Sequence, residues 1–305
     1  HYNFDESNTT DAVNSGSDPW PMVAEAPDVW VEGQINGAIN MGWTTGVAED
    51  FTKITDAVTI SAWIRLDPNY VVAGENMAIV RNANGALNTV APFGQFDFGL
   101  VATGDGTIFN LRASVGAGPN IIRARDTAPM PFDEWQHVAF TADGRQLRLY
   151  RNGQLVAMTS YLDSINAADT AWMSAGARMV DDGGDPPTIT PESGEEEYLS
   201  GYLDDLGIWS YAWGASVIES IYTQGMAGND LTTAVLPDLP PVPVDITFTT
   251  PTLNQDGTIT LQWDGAGTLQ EASGIPATWT DSANQDNPQD VSAAAGTMLY
   301  RVVGQ

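Results

Sequence analysis

One run of residues, Val58-Thr59-Ile60-Ser61-Ala62-Trp63-Ile64-Arg65-Leu66, constrains this chain more than any other feature. It places Val58, Ile60, Ala62, Ile64 and Leu66 on one face and Thr59, Ser61, Trp63 and Arg65 on the other. That period of two predicts a β-strand with one core face. Similar short runs of β-branched and aromatic residues, separated by Gly, Asn and Asp, recur along the sequence while helical periodicity is scarce, which predicts an all-β sandwich or barrel. Gln136–Thr141 and Gln146–Tyr150 read as strands joined by Ala142-Asp143-Gly144-Arg145. Arg151-Asn152-Gly153-Gln154 then supplies an Asn-Gly turn into Leu155-Val156-Ala157, making a meander. One helix is expected, over Ala215–Gln224, with Val217, Ile218, Ile221 and Tyr222 as its apolar stripe and Gly225 as its left-handed end; it should pack on the sandwich edge.

Pro237, Pro240, Pro241 and Pro243 mark an extended, semi-rigid connector at 232–244. It separates a domain at 1–231 from a small β domain at 245–305. In the latter, Asp245–Thr250, Thr258–Trp263, Thr268–Glu271 and Met298–Val303 read as strands, with Asn254-Gln255-Asp256-Gly257 as a hairpin turn. Roughly 60 residues make a marginal core. The module is therefore expected to pack against the first domain or another subunit.

The 305 residues carry 39 acidic against 11 basic side chains, a formal charge of −28. That sign repels phosphate backbones and anionic headgroups and argues against nucleic-acid and membrane-surface roles. No apolar run reaches the ~20 residues that cross a bilayer. Cysteine is absent and His1 and His137 are the only histidines, which excludes disulfides, thiolate or multi-histidine metal centres and cysteine nucleophiles. Hard, oxygen-ligated cations remain. The start at His1, without Met or an apolar leader, leads to the expectation of a processed, extracellular or cell-surface protein.

The stretch Trp135-Gln136-His137-Val138-Ala139-Phe140-Thr141-Ala142-Asp143-Gly144, followed by Leu147-Arg148-Leu149-Tyr150-Arg151-Asn152-Gly153, resembles the central signature of laminin-G-like jelly-roll domains. Thr59–Ile64 resembles that family's early core strand and Gly201–Trp209 its last strand before a short helix; Tyr2-Asn3-Phe4-Asp5-Glu6 is similar to its first strand. The resemblance covers about 1–231 and implies a concanavalin A-like antiparallel jelly-roll sandwich. The C-terminal segment, with Leu261-Gln262-Trp263, Trp279-Thr280 and Tyr300-Arg301-Val302, is similar to small terminal β domains of secreted Verrucomicrobia-type proteins.

The resemblance also implies structural calcium, with Asp205 as preferred ligand and Asp5 as its partner; the alternative is that Asp204 and Asp205 merely cap a strand end. The acidic stretch 181–197 fits no complete cation loop and reads as solvated. Glycosidase chemistry needs two facing carboxyls, and no Glu-x-Asp-x-Glu pattern falls on a predicted strand. His137 sits in a strand and reads as structural rather than as a general base. A non-catalytic protein is therefore expected. One function is an adhesion or surface-structural subunit that self-associates or binds another surface protein. The other is a lectin-like module for an extracellular glycan, with loop residues Trp20 and Trp172 as candidate contacts, although packing is the alternative for both. Glycoside hydrolysis is the remote third.

Overall fold

Val58–Leu66 forms a strand at the centre of a sheet, and every residue from Val58 to Ile64 is buried. Both of its faces are therefore covered, which the alternation alone does not require. The computed structural model describes residues 1–7, 9–16, 21–24, 29–42, 45–48, 56–85, 94–166, 172–181, 188–236, 247–248, 250–264, 267–273, 279–292 and 298–304. The chain divides into two compact units, His1–Pro237 and Asp238–Gln305. Residues 237–246, most of the proline-rich connector, lie outside the described residues.

Among the described residues the first unit is a sandwich of two antiparallel sheets, with Met179–Asp181 and Ile189–Pro191 pairing as a separate two-stranded one. In spatial order, the eight-stranded sheet contains Asp11–Ala12, Met22–Ala24, Gly46–Ala48, Met173–Ala175, Met77–Asn82, Phe96–Thr103, Ile108–Ala117 and Asn120–Pro129. The seven-stranded sheet contains Gln154–Ser160, Gln146–Arg151, Gln136–Ala142, Val58–Leu66, Gly201–Trp209, Gly37–Asn40 and Trp30–Glu32. Apolar residues at alternate positions of both sheets fuse into one core. Phe98 of one sheet meets Phe140 of the other edge to face, with centroids 5.1 Å apart. On one side the two sheet edges close on each other: Thr159 Oγ1 of Gln154–Ser160 donates to the Arg123 carbonyl at 2.6 Å. At the far side the edge strands are short, Asp11–Ala12 and Trp30–Glu32.

The meander follows its local chemistry. Asn152 and Gly153 both take positive φ, 49° and 77°, as a tight two-residue hairpin turn requires. The helix departs from expectation twice. It runs Ala215–Met226 and lies on the outer face of the seven-stranded sheet rather than its edge, where Val217, Ile218 and Ile221 pack with Ala139, Tyr150 and Trp213. Gly225 is not its left-handed end but a buried helical residue, since a Cβ there would lie 2.6 Å from Trp63 Nε1. Close approach to that ring is what requires glycine.

The second unit has three small antiparallel sheets. Thr258–Leu261 lies between Thr252–Leu253 and Gln289–Ser292, and Gly267–Ser273 between Thr280–Asp281 and Met298–Gly304. Thr247–Phe248 pairs with Trp263–Asp264. Asn254–Gly257 makes the expected hairpin turn, with Gly257 at φ 84° and Leu253 paired to Ile259.

Candidate functional site

Asp204 and Asp205 lie where the register of Gly201–Trp209 shifts between Asp204 and Gly207. Asp205 takes φ 48° and both carboxyls are buried. Asp205 Oδ1 contacts His1 Nε2 at 2.6 Å and accepts from the Leu231 amide at 3.3 Å. Burial raises its pKa, against the lowering effect of the His1 bond and charge. Asp204 Oδ2 accepts from the Ile35 amide at 2.8 Å, while Oδ1 is buried without a hydrogen-bond partner among the described residues. Burial, with the charges of Asp205 and Asp5, pushes Asp204 up to about 8. Asp5 Oδ1 accepts from the Gly37 amide at 2.7 Å. The same turn packs on Asp204 so closely that a Cβ on Gly33 would lie 2.7 Å from Oδ2. Asp5, in the segment before the first strand, and Asp204, in Gly201–Trp209, thus grip one turn, whereas Asp205 is turned to His1.

Among the described residues no set of three or more His, Asp or Glu gathers as a metal cluster. The feature that suits a cation is the orphaned, fully buried Asp204 Oδ1 near the Asp5 charge; the remaining ligands of a hard ion would have to be backbone carbonyls.

Other expected contacts fall differently. Trp20 lies outside the described residues. Trp172 is only 6% exposed and packs with Ala177 and Met179, so its ring is a wall of a small core rather than a stacking platform. In the acidic stretch, residues 182–187 are outside the described residues, but Glu192, Glu195 and Glu197 gather around Arg178, with Glu192 at 2.5 Å from its Nε. Trp135 and Tyr202 hold the Arg65 guanidinium over their rings, at 5.3 and 4.4 Å, and the Tyr202 hydroxyl donates to Asp67. That cluster satisfies itself. His137 is buried, 2.8 Å from Ser61 Oγ, and desolvation pushes its pKa down to about 3.

The outer face of the eight-stranded sheet has more to offer. Phe96, Phe98 and Leu100, then Phe109, Leu111 and Ala113, point into the core. Strand alternation sends their neighbours outward. Register sets Arg81, Asp97, Ser114 and Arg123 in one row across four strands and Gly99, Arg112 and Arg125 in the next. Asp97 meets Arg112 Nη2 at 2.9 Å and Arg81 Nε at 3.6 Å. Burial works to raise the Asp97 carboxyl, but Arg81, Arg112 and Arg123 outweigh it and hold it below the usual range. Arg81 is buried under loops, bonding Glu197 and the Gly85 carbonyl, while Arg123, Arg125 and Thr127 at the other end are exposed. Thr103, Asn110, Arg125 and Thr127 line an open hollow there. Asn110 Oδ1 accepts from Thr103 Oγ1 at 3.0 Å and Arg125 Nη2 at 3.4 Å. None of these positions stands out in the sequence, because they become neighbours only through register.

The family model of the concanavalin A-like lectin/glucanases superfamily, laminin-G type, matches residues 42–219 and leaves the second unit unmatched. A comparison with curated proteins returns no match. Among solved structures, domain 4 of an extracellular arabinanase from Geobacillus stearothermophilus, in complex with arabinotriose, is 17% identical over 72% of this chain and 96% of that one, at a TM-score of 0.49. A heptameric pentraxin from Limulus polyphemus is 15% identical over 64% and 88%, at 0.42. A putative carbohydrate-binding protein from Bacteroides ovatus is 19% identical over 72% and 55%, at 0.41.

Proposed function

The chain belongs to the concanavalin A-like lectin/glucanase superfamily, and from this premise we infer that its first unit is a non-catalytic, extracellular carbohydrate-binding module. The observation that carries the reading is the open end of the eight-stranded sheet. There Asn110, Arg125, Thr103 and Thr127 line a hollow with fixed donors and acceptors on rigid strands, the kind of polar set that orients a sugar. One feature argues against hydrolysis at this face. Asp97 is held ionised between arginines, whereas a glycosidase acid needs a raised pKa.

The test is binding of the full chain to a broad glycan panel, repeated with Asn110→Ala and Thr127→Ala. We expect at least one glycan to bind and each substitution to weaken it about ten-fold, with melting temperatures close to the parent's. No binder, or a binder indifferent to both substitutions, overturns the reading.

We further propose that a calcium ion supports the fold at Asp204, with Asp5 as the nearby carboxylate. The support is the unanswered Oδ1 and a buried carboxyl whose ionised form a cation would stabilise. Calcium at ~100 times its dissociation constant adds about 2.7 kcal/mol, several degrees of melting temperature for a unit this size. Magnesium should give less, and Asp204→Asn should abolish the calcium increment. Equal melting in calcium and in EDTA removes the proposal.

A further inference from the structure

Arg112 and Arg125 are Cα partners on neighbouring antiparallel strands, and Arg123 stands two residues from Arg125 on the same face. Like charges directly opposite in a strand pair destabilise it. Asp97 answers Arg112 at 2.9 Å. Among the described residues Arg125 reaches only the neutral Asn110 Oδ1, at 3.4 Å, and the exposed Arg123 feels the Asp97 charge without bonding to it. The arrangement is conspicuous in a chain with 11 basic residues and a net charge of −28. A second observation lies beneath it. Ser114 Oγ, in register between Asp97 and Arg123, and Arg112 Nε are both buried with no hydrogen-bond partner among the described residues.

The chemistry of the face narrows its occupant. Outward positions of Phe96–Thr103, Ile108–Ala117 and Asn120–Pro129 carry no aromatic ring. These three strands therefore offer no stacking surface of the kind neutral sugars and nucleobases use, and no aromatic anchor for a protein interface. Guanidiniums on adjacent strands lie about 5 Å apart at the backbone and those two residues apart about 7 Å. They present paired donors matched to carboxylate and sulfate oxygens.

Building on the carbohydrate-binding reading, we propose that this face takes an acidic polysaccharide, one bearing carboxylate or sulfate groups, with Arg123 and Arg125 pairing its acid groups. A polymer with spaced charges suits so small a basic area. A nucleic acid, with a charge every ~1.7 Å of duplex, would set its further phosphates against the acidic surface around it.

The experiment measures binding of the full chain to two matched pairs of probes: polygalacturonate against its methyl-esterified form, and dextran sulfate against dextran. The two pairs distinguish carboxylate from sulfate as the acid group. We expect an acidic member to bind at least ten-fold tighter than its neutral twin, binding to weaken with added salt, and Arg123→Gln/Arg125→Gln to remove that preference. Both side chains are exposed, so the double variant should melt like the parent.

Equal binding of acidic and neutral twins overturns the inference while leaving the carbohydrate reading intact. A neutral glycan bound at this face, with neither acidic probe bound, does the same. Failure of every glycan overturns both. Self-association of the full chain that the double variant abolishes would assign the arginines to acidic residues of a second copy, and would also overturn the proposal.

Discussion

His137 is fully buried between the seven-stranded sheet and the helix, with the Trp63 and Tyr222 rings 5.3 and 6.0 Å away and Nδ1 without a hydrogen-bond partner among the described residues. Its imidazole stays neutral down to about pH 3 in the fold, whereas an unfolded histidine takes a proton near 6.5. Between those values the unfolded chain binds more protons, so stability is full above about pH 6.5 and falls as pH drops toward 3, by about 1.4 kcal/mol per unit from this residue. Denaturant midpoints measured from pH 7 to 4 should show that slope, and His137→Gln should lose that share of it. An unchanged slope in the variant would mean His137 is charged in the folded state. The two neighbouring aspartates teach a related lesson. The sequence drew attention to Asp204-Asp205, but which carboxyl is left unanswered depends on a register shift and on His1, 204 positions away. Neither is visible in a local pattern.

At the level of elements, the legible parts were those whose causes are local. The Asn152-Gly153 turn follows from two residues that tolerate positive φ, and the alternation of Val58–Leu66 is its own evidence. The seat of the helix was not legible, because the cover it gives to Thr59, Ser61 and Trp63 is a tertiary fact. Gly225 reads as a terminator by residue type and acts as a spacer by position. Gly225→Ala therefore sets a helix-propensity gain of about 1 kcal/mol against overpacking of about 1–3 kcal/mol on Trp63. A modest net loss is expected, read as a lower melting temperature. A higher one would show that the indole yields. Gly153→Ala, at φ 77° with Tyr222 Cδ1 3.2 Å from the added Cβ, should also destabilise.

Across the whole molecule, the arginine face escaped sequence reading for a plain reason: residues 81, 97, 112 and 123 belong to four strands, and only pairing assembles them. All lie in the first unit. Residues 1–237 expressed alone should therefore keep the glycan affinity of the full chain, measured by the same titration; a large loss would bring the second unit into the site. The way the sheets end has a different bearing. Long strand edges with free amides invite other chains to join them, the first step toward fibrous aggregates. In the first unit two long edge strands are tied together by the Thr159 hydroxyl on the Arg123 carbonyl, and the edge strands at the opposite side are two and three residues long. A unit finished in this way is suited to long residence at high local concentration, where slow templated growth, rather than unfolding, would otherwise limit its working life.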